Sequence, residues 1–331
     1  MVTALPRPGR RALTAAAAAL AALGLVLCWL LPPAGERAPS GRVTLATGVP
    51  TGVYARYGEL LKQDLARDMP GVDLRLTRSE GSIDNLRQLV SGRAAFTIAT
   101  ADAVAAYQVR HEPGADRLRA CARLYDDYMQ LVVPKNSPVR SAKDLRGLRV
   151  GVGADGSGVQ LITRRLLEAA GLDFDRDIVP VRVGIDQMPG QLEHGDLDAF
   201  FWSGGLPTQA VQRLVQRFPV RLVQLGDLSE GLHEQGERTR YYRAAVMPAD
   251  AYPQAQDGEA VKTIAVANLL VTTDRENAAL TFGITRTVIN SRDAIGHEVH
   301  AAQNVDLRTA VFTDPLPLHT GAREYYVSVK Q

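Results

Sequence analysis

The chain has 331 residues, of which 46% are apolar and 22% charged, and its formal net charge is +2. That length is enough for two lobes with separate cores, and the near-neutral balance supplies no basic field for nucleic acid. Two cysteines, Cys28 and Cys121, exclude a disulfide framework and any CxxC metal knuckle; Cys121 reads as a small buried hydrophobe.

Arg7, Arg10 and Arg11 precede an uncharged apolar run from Ala12 to Leu31, which Pro32, Pro33, Gly35 and Pro39 close. This pattern is an export signal with its basic side in the cytoplasm. Residues 1–40 are expected to be a signal peptide or a membrane anchor. No clean A-x-A cleavage site follows the run, and Leu27 stands where lipidation at Cys28 needs a small residue. The run is long enough to span a bilayer and stay as an anchor. Each fate exports residue 41 onward, and retention tethers it to the outer face of the cytoplasmic membrane.

From Gly41 the chain alternates strand and helix. VTLAT is a strand, the turn GVPTG follows, and a helix starts near Val53 and stops at Pro70-Gly71. VDLRLT is a strand, GSIDNLRQLVSG an amphipathic helix, AAFTIAT a strand and ADAVAAYQV a helix. This order predicts a parallel, doubly wound sheet. A second α/β unit begins after Pro134, with LRVGVG, IVPVRV, DAFFWS and VRLVQLG as strands separated by helices. ENAALTFGITRTVINSRDAI is expected to be one long helix. Long apolar strands near Leu124–Val133 and Lys262–Thr272 bracket the second unit. The expected architecture is two α/β lobes on a two-strand hinge, of the type II periplasmic-binding-protein kind. Lobe I is 41–133 plus 262–331 and lobe II is 134–261. Ligands of such sheets sit beyond the carboxyl ends of the strands, here in a cleft that closes.

The chemistry is expected at those carboxyl ends. Thr47-Gly48-Val49-Pro50-Thr51-Gly52 follows a strand and opens a helix, so glycine lets backbone N–H groups approach a ligand and the helix N-terminus favours an anion. Tyr54 lies just inside that helix. The same grammar recurs at Gly81-Ser82 before Asn85, at Thr100-Ala101-Asp102, at Gly156-Ser157-Gly158 and at Ser203-Gly204-Gly205 after Trp202. Each polar residue is alternatively a simple helix cap. Gly151-Val152-Gly153-Ala154-Asp155-Gly156 has the form of a dinucleotide fingerprint with Asp173 and Asp175 downstream, but an exported chain is a poor place for that cofactor. His297-Glu298-Val299-His300 lacks the spacing of a zinc motif. Asp126-Asp127 reads as an exposed turn or strand end, with metal ligation as the alternative. Arg78 and Arg182 read as surface arginines, with bidentate pairing to a carboxylate as the alternative.

Several segments together resemble the TAXI family of TRAP-transporter solute-binding proteins. They are ATGVPTGVYARYGELL, EGSIDNLRQLVSGRAAFTIATAD, LYDDYMQLVV, DLRGLRVGVGADGSGVQLITRRLLEAAGL, LEHGDLDAFFWSGGLPTQAV, YPQAQDGEAVKTIAVANLLVT and PLPLHTGAREYY, in order from Val43 to Tyr326. The resemblance implies a two-lobed protein without catalysis, metal or cofactor. Such a protein hands a small organic anion, such as glutamate or a 2-oxoacid, to an ion-gradient-driven membrane permease. It implies a cleft built from Thr47, Gly48, Thr51, Tyr54, Ser82, Asn85, Asp102, Ser157, Gly158, Trp202 and Gly205, to which the strand-end reading adds Thr100. Val49-Pro50, Ala95 and Thr100 depart from the family pattern, and Pro50 lacks an N–H donor. Two alternatives stand beside this reading. One is a ligand-sensing partner of a membrane sensor kinase or receptor. The other is an extracellular enzyme, for which Asp102 is the candidate acid or base.

Overall fold

The computed structural model describes residues 38–330. The expected export segment, with its arginines and Cys28, lies outside them. Among the described residues no helix is long and apolar enough to cross a membrane.

Gly41–Ala46 (β1) lies between Val72–Thr77 (β2) and Phe96–Thr100 (β3), parallel to both. Val53–Asp68 (α1), Ser82–Val90 (α2) and Ala101–Val109 (α3) follow these strands in turn. β3, FTIAT, is buried along its whole length, as a strand covered on both faces must be. Leu118–Pro134 (β4) then runs through the molecule. Arg149–Gly151 (β5), Gly158–Ala169 (α4), Val179–Val181 (β6), Met188–His194 (α5), Ala199–Gly204 (β7), Gln209–Arg217 (α6) and Val220–Val223 (β8) follow. Ser229–Glu234 (α7), Tyr242–Met247 (β9) and Pro253–Gln256 (α8) lead to the second long strand, Val261–Thr273 (β10). Ala278–Asn290 (α9), Arg292–Gly296 (α10) and Thr320–Ser328 (α11) complete the chain.

The strands form one ten-stranded mixed sheet in the order β2-β1-β3-β10-β4-β7-β5-β6, with β8 on β4 and β9 on β10. The expected parallel strands occupy the two ends. β4 and β10 pair antiparallel in the middle, from Leu118↔Thr273 to Tyr128↔Ala265, and belong to both halves. Consecutive residues point to opposite faces, and each half has a core on each face. In the β1 half, Ile98 joins Leu45, Leu61 and Leu270, while Ala99 joins Leu86, Val104 and Leu269. In the β7 half, Phe201 joins Leu131, Val150 and Leu166, while Phe200 joins Val132, Leu214 and Val220.

Three details differ from expectation. The long helix after Asn277 breaks at Ser291; Asn and Ser side chains compete for backbone hydrogen bonds and weaken a helix there. The edge strand β9, YRAAVM, carries too few inward apolar residues to be read as a strand, being buried only at its ends, Tyr242 and Met247. Asp126-Asp127 is not a turn but the middle of β4, where Asp127 is only 3% exposed. Cys121 is fully buried, and burial pushes its thiol up out of reactive range.

Candidate functional site

A cavity of about 60 Å³ lies where the carboxyl ends of β1, β3 and β5 meet the crossing strands. The β1–α1 loop forms one wall. Gly52 N–H donates to Val49 O at 2.9 Å, closing a tight turn with Pro50 at its second position. Proline's fixed φ suits that position, and Pro50 does not line the cavity, so its missing N–H removes no contact there. The first residues of α1, Val53 and Tyr54, do line it.

The opposite rims touch. Gly81 has φ +127°, and a Cβ there would stand 3.3 Å from Ser157 Cα. Asp84 N–H donates to Gly156 O at 3.1 Å. A Cβ on Gly158 would stand 3.1 Å from Ser82 Oγ and 3.3 Å from Thr100 Oγ1. On the other rim, Val49 packs on the core that contains Ile185, and a Cβ on Gly184 would stand 3.7 Å from Val49. The two halves of the sheet are therefore in contact around the cavity. From the second half, Ser157 Oγ caps α4 by accepting Gln160 N–H at 3.1 Å. Trp202 lines the wall, with its indole N–H donated to Thr208 Oγ1 at 2.9 Å. The glycines of the dinucleotide-like motif serve this turn: Gly153 (φ +89°) leaves only 2.7 Å between a Cβ and Ser157 Oγ. Asp173 makes an ion pair with Arg176, and Asp175 with Arg164 and Arg182, at the surface.

Three helices, α1, α2 and α4, start at the cavity, so their unpaired N–H groups and positive dipole ends converge on it. No lysine, arginine or histidine side chain lines it. Arg78 is exposed outside the lining, and Arg182 pairs with Asp155 and Asp175 instead. The charged lining residues are Glu80 at the mouth and Asp127 on the floor.

A hydrogen-bond chain reaches Asp127. Thr100 N–H can only donate, and it gives to Ser82 Oγ at 3.2 Å. Ser82 Oγ is 3.2 Å from Tyr54 Oη, whose O–H donates to Asn268 Oδ1 at 2.5 Å. Asn268 Nδ2–H donates to Asp127 Oδ1 at 2.8 Å. Asn268 sits where β4 carries two residues, Leu124 and Tyr125, opposite one of β10. Such a bulge re-aims side chains and is common beside functional sites. Burial pushes the Asp127 carboxyl up to about 7, with Asp126 and Asp102 adding to the rise and the Asn268 bond opposing it. Burial and Asp127 also raise the Tyr54 phenol.

Of the residues expected in the cleft, Gly48, Tyr54, Ser82, Thr100, Ser157, Gly158 and Trp202 line the cavity. Thr47, Thr51, Asn85, Asp102 and Gly205 do not. Thr47 Oγ1 donates to Thr77 O at 3.1 Å, between β1 and β2. Thr51 Oγ1 is buried without a partner. Gly205 abuts Ala301 and Val53. Asp102 is buried behind the floor and accepts the Tyr242 O–H at 2.6 Å. Asn85 Nδ2 donates to Thr47 O at 2.6 Å and Ile98 O at 2.8 Å, which pins the ends of β1 and β3. Asn85→Ala is expected to destabilise the fold by about 1–3 kcal/mol, because it leaves buried carbonyls short of a donor; urea unfolding measures it. Asp127, Asn268, Gly184 and Ile185 escaped the sequence reading because no motif marks them. Among the described residues no group of three or more metal-ligating side chains is placed to hold an ion.

Solved structures share this architecture. A protein of Bordetella bronchiseptica RB50 is 19% identical, with a TM-score of 0.52 over 87% of this chain and 89% of its own. A putative L-cystine ABC transporter protein of Listeria monocytogenes is 15% identical, with a TM-score of 0.50 over 79% and 97%. The periplasmic aliphatic sulphonate binding protein of Escherichia coli is 16% identical, with a TM-score of 0.48 over 88% and 83%. The fold is that of the periplasmic binding proteins. The sequence model of the NMT1-like family matches residues 45–328, and the chain belongs to that family.

Proposed function

We propose that this is an exported solute-binding protein of the TAXI kind that captures a small organic anion and delivers it to an ion-gradient-driven TRAP-type permease. The ligand lies between two lobes, 41–133 plus 262–331 and 134–261, which turn on β4 and β10. One observation carries the reading: three helix N-termini converge on a largely apolar cavity that both halves of the sheet line. Backbone N–H groups and the Ser157 hydroxyl suit a carboxylate, and Val53, Ile185 and Trp202 suit a short carbon skeleton. The reading involves binding and release without turnover, and the N-terminal apolar segment tethers the protein to the outer face of the cytoplasmic membrane.

A thermal-shift screen of the full chain against amino acids, 2-oxoacids and dicarboxylates tests it. A ligand that binds only the folded state adds about 2.7 kcal/mol at a hundredfold excess over Kd. One acid class is expected to raise Tm, and Ser157→Ala is expected to reduce that shift. A panel without any shift contradicts the anion reading.

A further inference from the structure

The cavity that attracts an anion also presents it with a carboxyl group. Asp127 is 3% exposed, and its Oδ1 is taken by the Asn268 amide. Its Oδ2 has no hydrogen-bond partner among the described residues, and the side chain forms part of the cavity lining. The donor order running from Thr100 N–H through Ser82, Tyr54 and Asn268 ends on Oδ1. A proton on Asp127 therefore resides on Oδ2, the oxygen left for a ligand.

The surroundings favour that proton. Around Asp127 are the Tyr54 phenol from α1, the Asn268 amide from β10, Asp102 from α3 and, as neighbours on its own strand, Tyr125 and Asp126. Asp126 is itself held by Arg123 at 2.7 Å and by Arg243 of β9. Glu80 stands at the mouth. No cation lines the cavity to keep Asp127 ionised. An arriving carboxylate places another negative charge beside it, which favours the neutral acid further.

We propose that Asp127 receives the ligand as a neutral acid, its Oδ2–H donating to a carboxylate oxygen of the anion, so that the protein captures anion and proton together. This rests on the organic-anion reading of the same cavity. The proton comes from solvent whenever Asp127 is ionised in the free protein, and it returns there on release. The residue thereby sets specificity: it selects an acceptor at that point of the ligand, and it makes affinity depend on pH while the ligand itself does not titrate.

The test is calorimetric titration of the full chain with 2-oxoglutarate and with L-glutamate between pH 6 and 8.5, in buffers of different ionisation heat. For the acid that binds, affinity is expected to fall about 30-fold over this range, as a group titrating near 7 requires. Proton uptake is expected to approach one per ligand at the upper end. Asp127→Asn removes the titrating group, so the affinity it retains is expected to be flat across this range and its proton uptake to be zero. Binding that is flat with pH and takes up no proton overturns the proposal and leaves the anion reading standing. Affinity that rises with pH and vanishes in Asp127→Asn also overturns it, placing a ligand amine on an ionised Asp127. If neither acid binds at any pH, the anion reading fails for these acids and the proposal falls with it.

Discussion

Replacing Gly158 with valine is expected to weaken ligand capture at least 100-fold while leaving the fold intact. Gly158 is the first residue of α4 in the second half of the sheet, and the atoms nearest its missing Cβ belong to the first half. They are Ser82 Oγ at 3.1 Å and Thr100 Oγ1 at 3.3 Å. Any side chain is a wedge between the rims, and a branched one forces them apart. Its φ is not positive, so valine meets no backbone strain where it stands. The cores of both halves lie elsewhere, around Leu45 and Leu131, and are untouched. A ligand held by both rims stabilises only the closed arrangement, so a barrier to closure appears in full as lost affinity. Titration calorimetry measures Kd, and urea unfolding shows whether the fold survived. Binding within threefold of the parent contradicts the account of closure.

Asp127→Asn is expected to make the ligand-free protein more stable at pH 8 and to change little at pH 4. The folded carboxyl titrates near 7 against 3.8 for the ordinary group. Because the folded value is raised, the native state holds its proton more tightly than the unfolded chain between those limits. The stability of the parent therefore falls as pH rises from about 4 to about 7, and the penalty is complete above that. A shift of about three units corresponds to roughly 4 kcal/mol. The group is almost wholly buried, so solvent screening takes little from this, and asparagine removes the charge that causes it. Urea midpoints of the two proteins across pH 4–8 measure the difference. Equal stability at pH 8 contradicts a buried, strained carboxylate at this position.

These predictions rest unequally on what a reader of the sequence sees. The alternation of VTLAT, VDLRLT and AAFTIAT with amphipathic helices gives away the α/β architecture, and the long strands at Leu124–Val133 and Lys262–Thr272 mark the crossing. Small polar residues at strand ends likewise point to the cavity, and Ser82, Thr100, Ser157 and Gly158 do line it. The same grammar misplaces Asn85 and Asp102. Ser82, the first residue of α2, faces the cavity, whereas Asn85, a turn later, reaches back to the sheet at Thr47 and Ile98. Asp102 similarly turns to Tyr242. Asp127 and Asn268 lie inside apolar strands with no turn or glycine beside them. Their meeting depends on the local register of β4 against β10, which no single stretch of sequence encodes. Gly184 and Ile185 follow the three-residue strand β6, too short to announce a ligand wall.

Titration calorimetry of the full chain with the acid selected by thermal shift, run beside Ser82→Ala and Gly158→Val, tests the central claim most directly. The account predicts saturable one-to-one binding by the parent, weaker binding by Ser82→Ala and none measurable by Gly158→Val. Binding that survives both substitutions unchanged places the ligand outside this cavity and contradicts it.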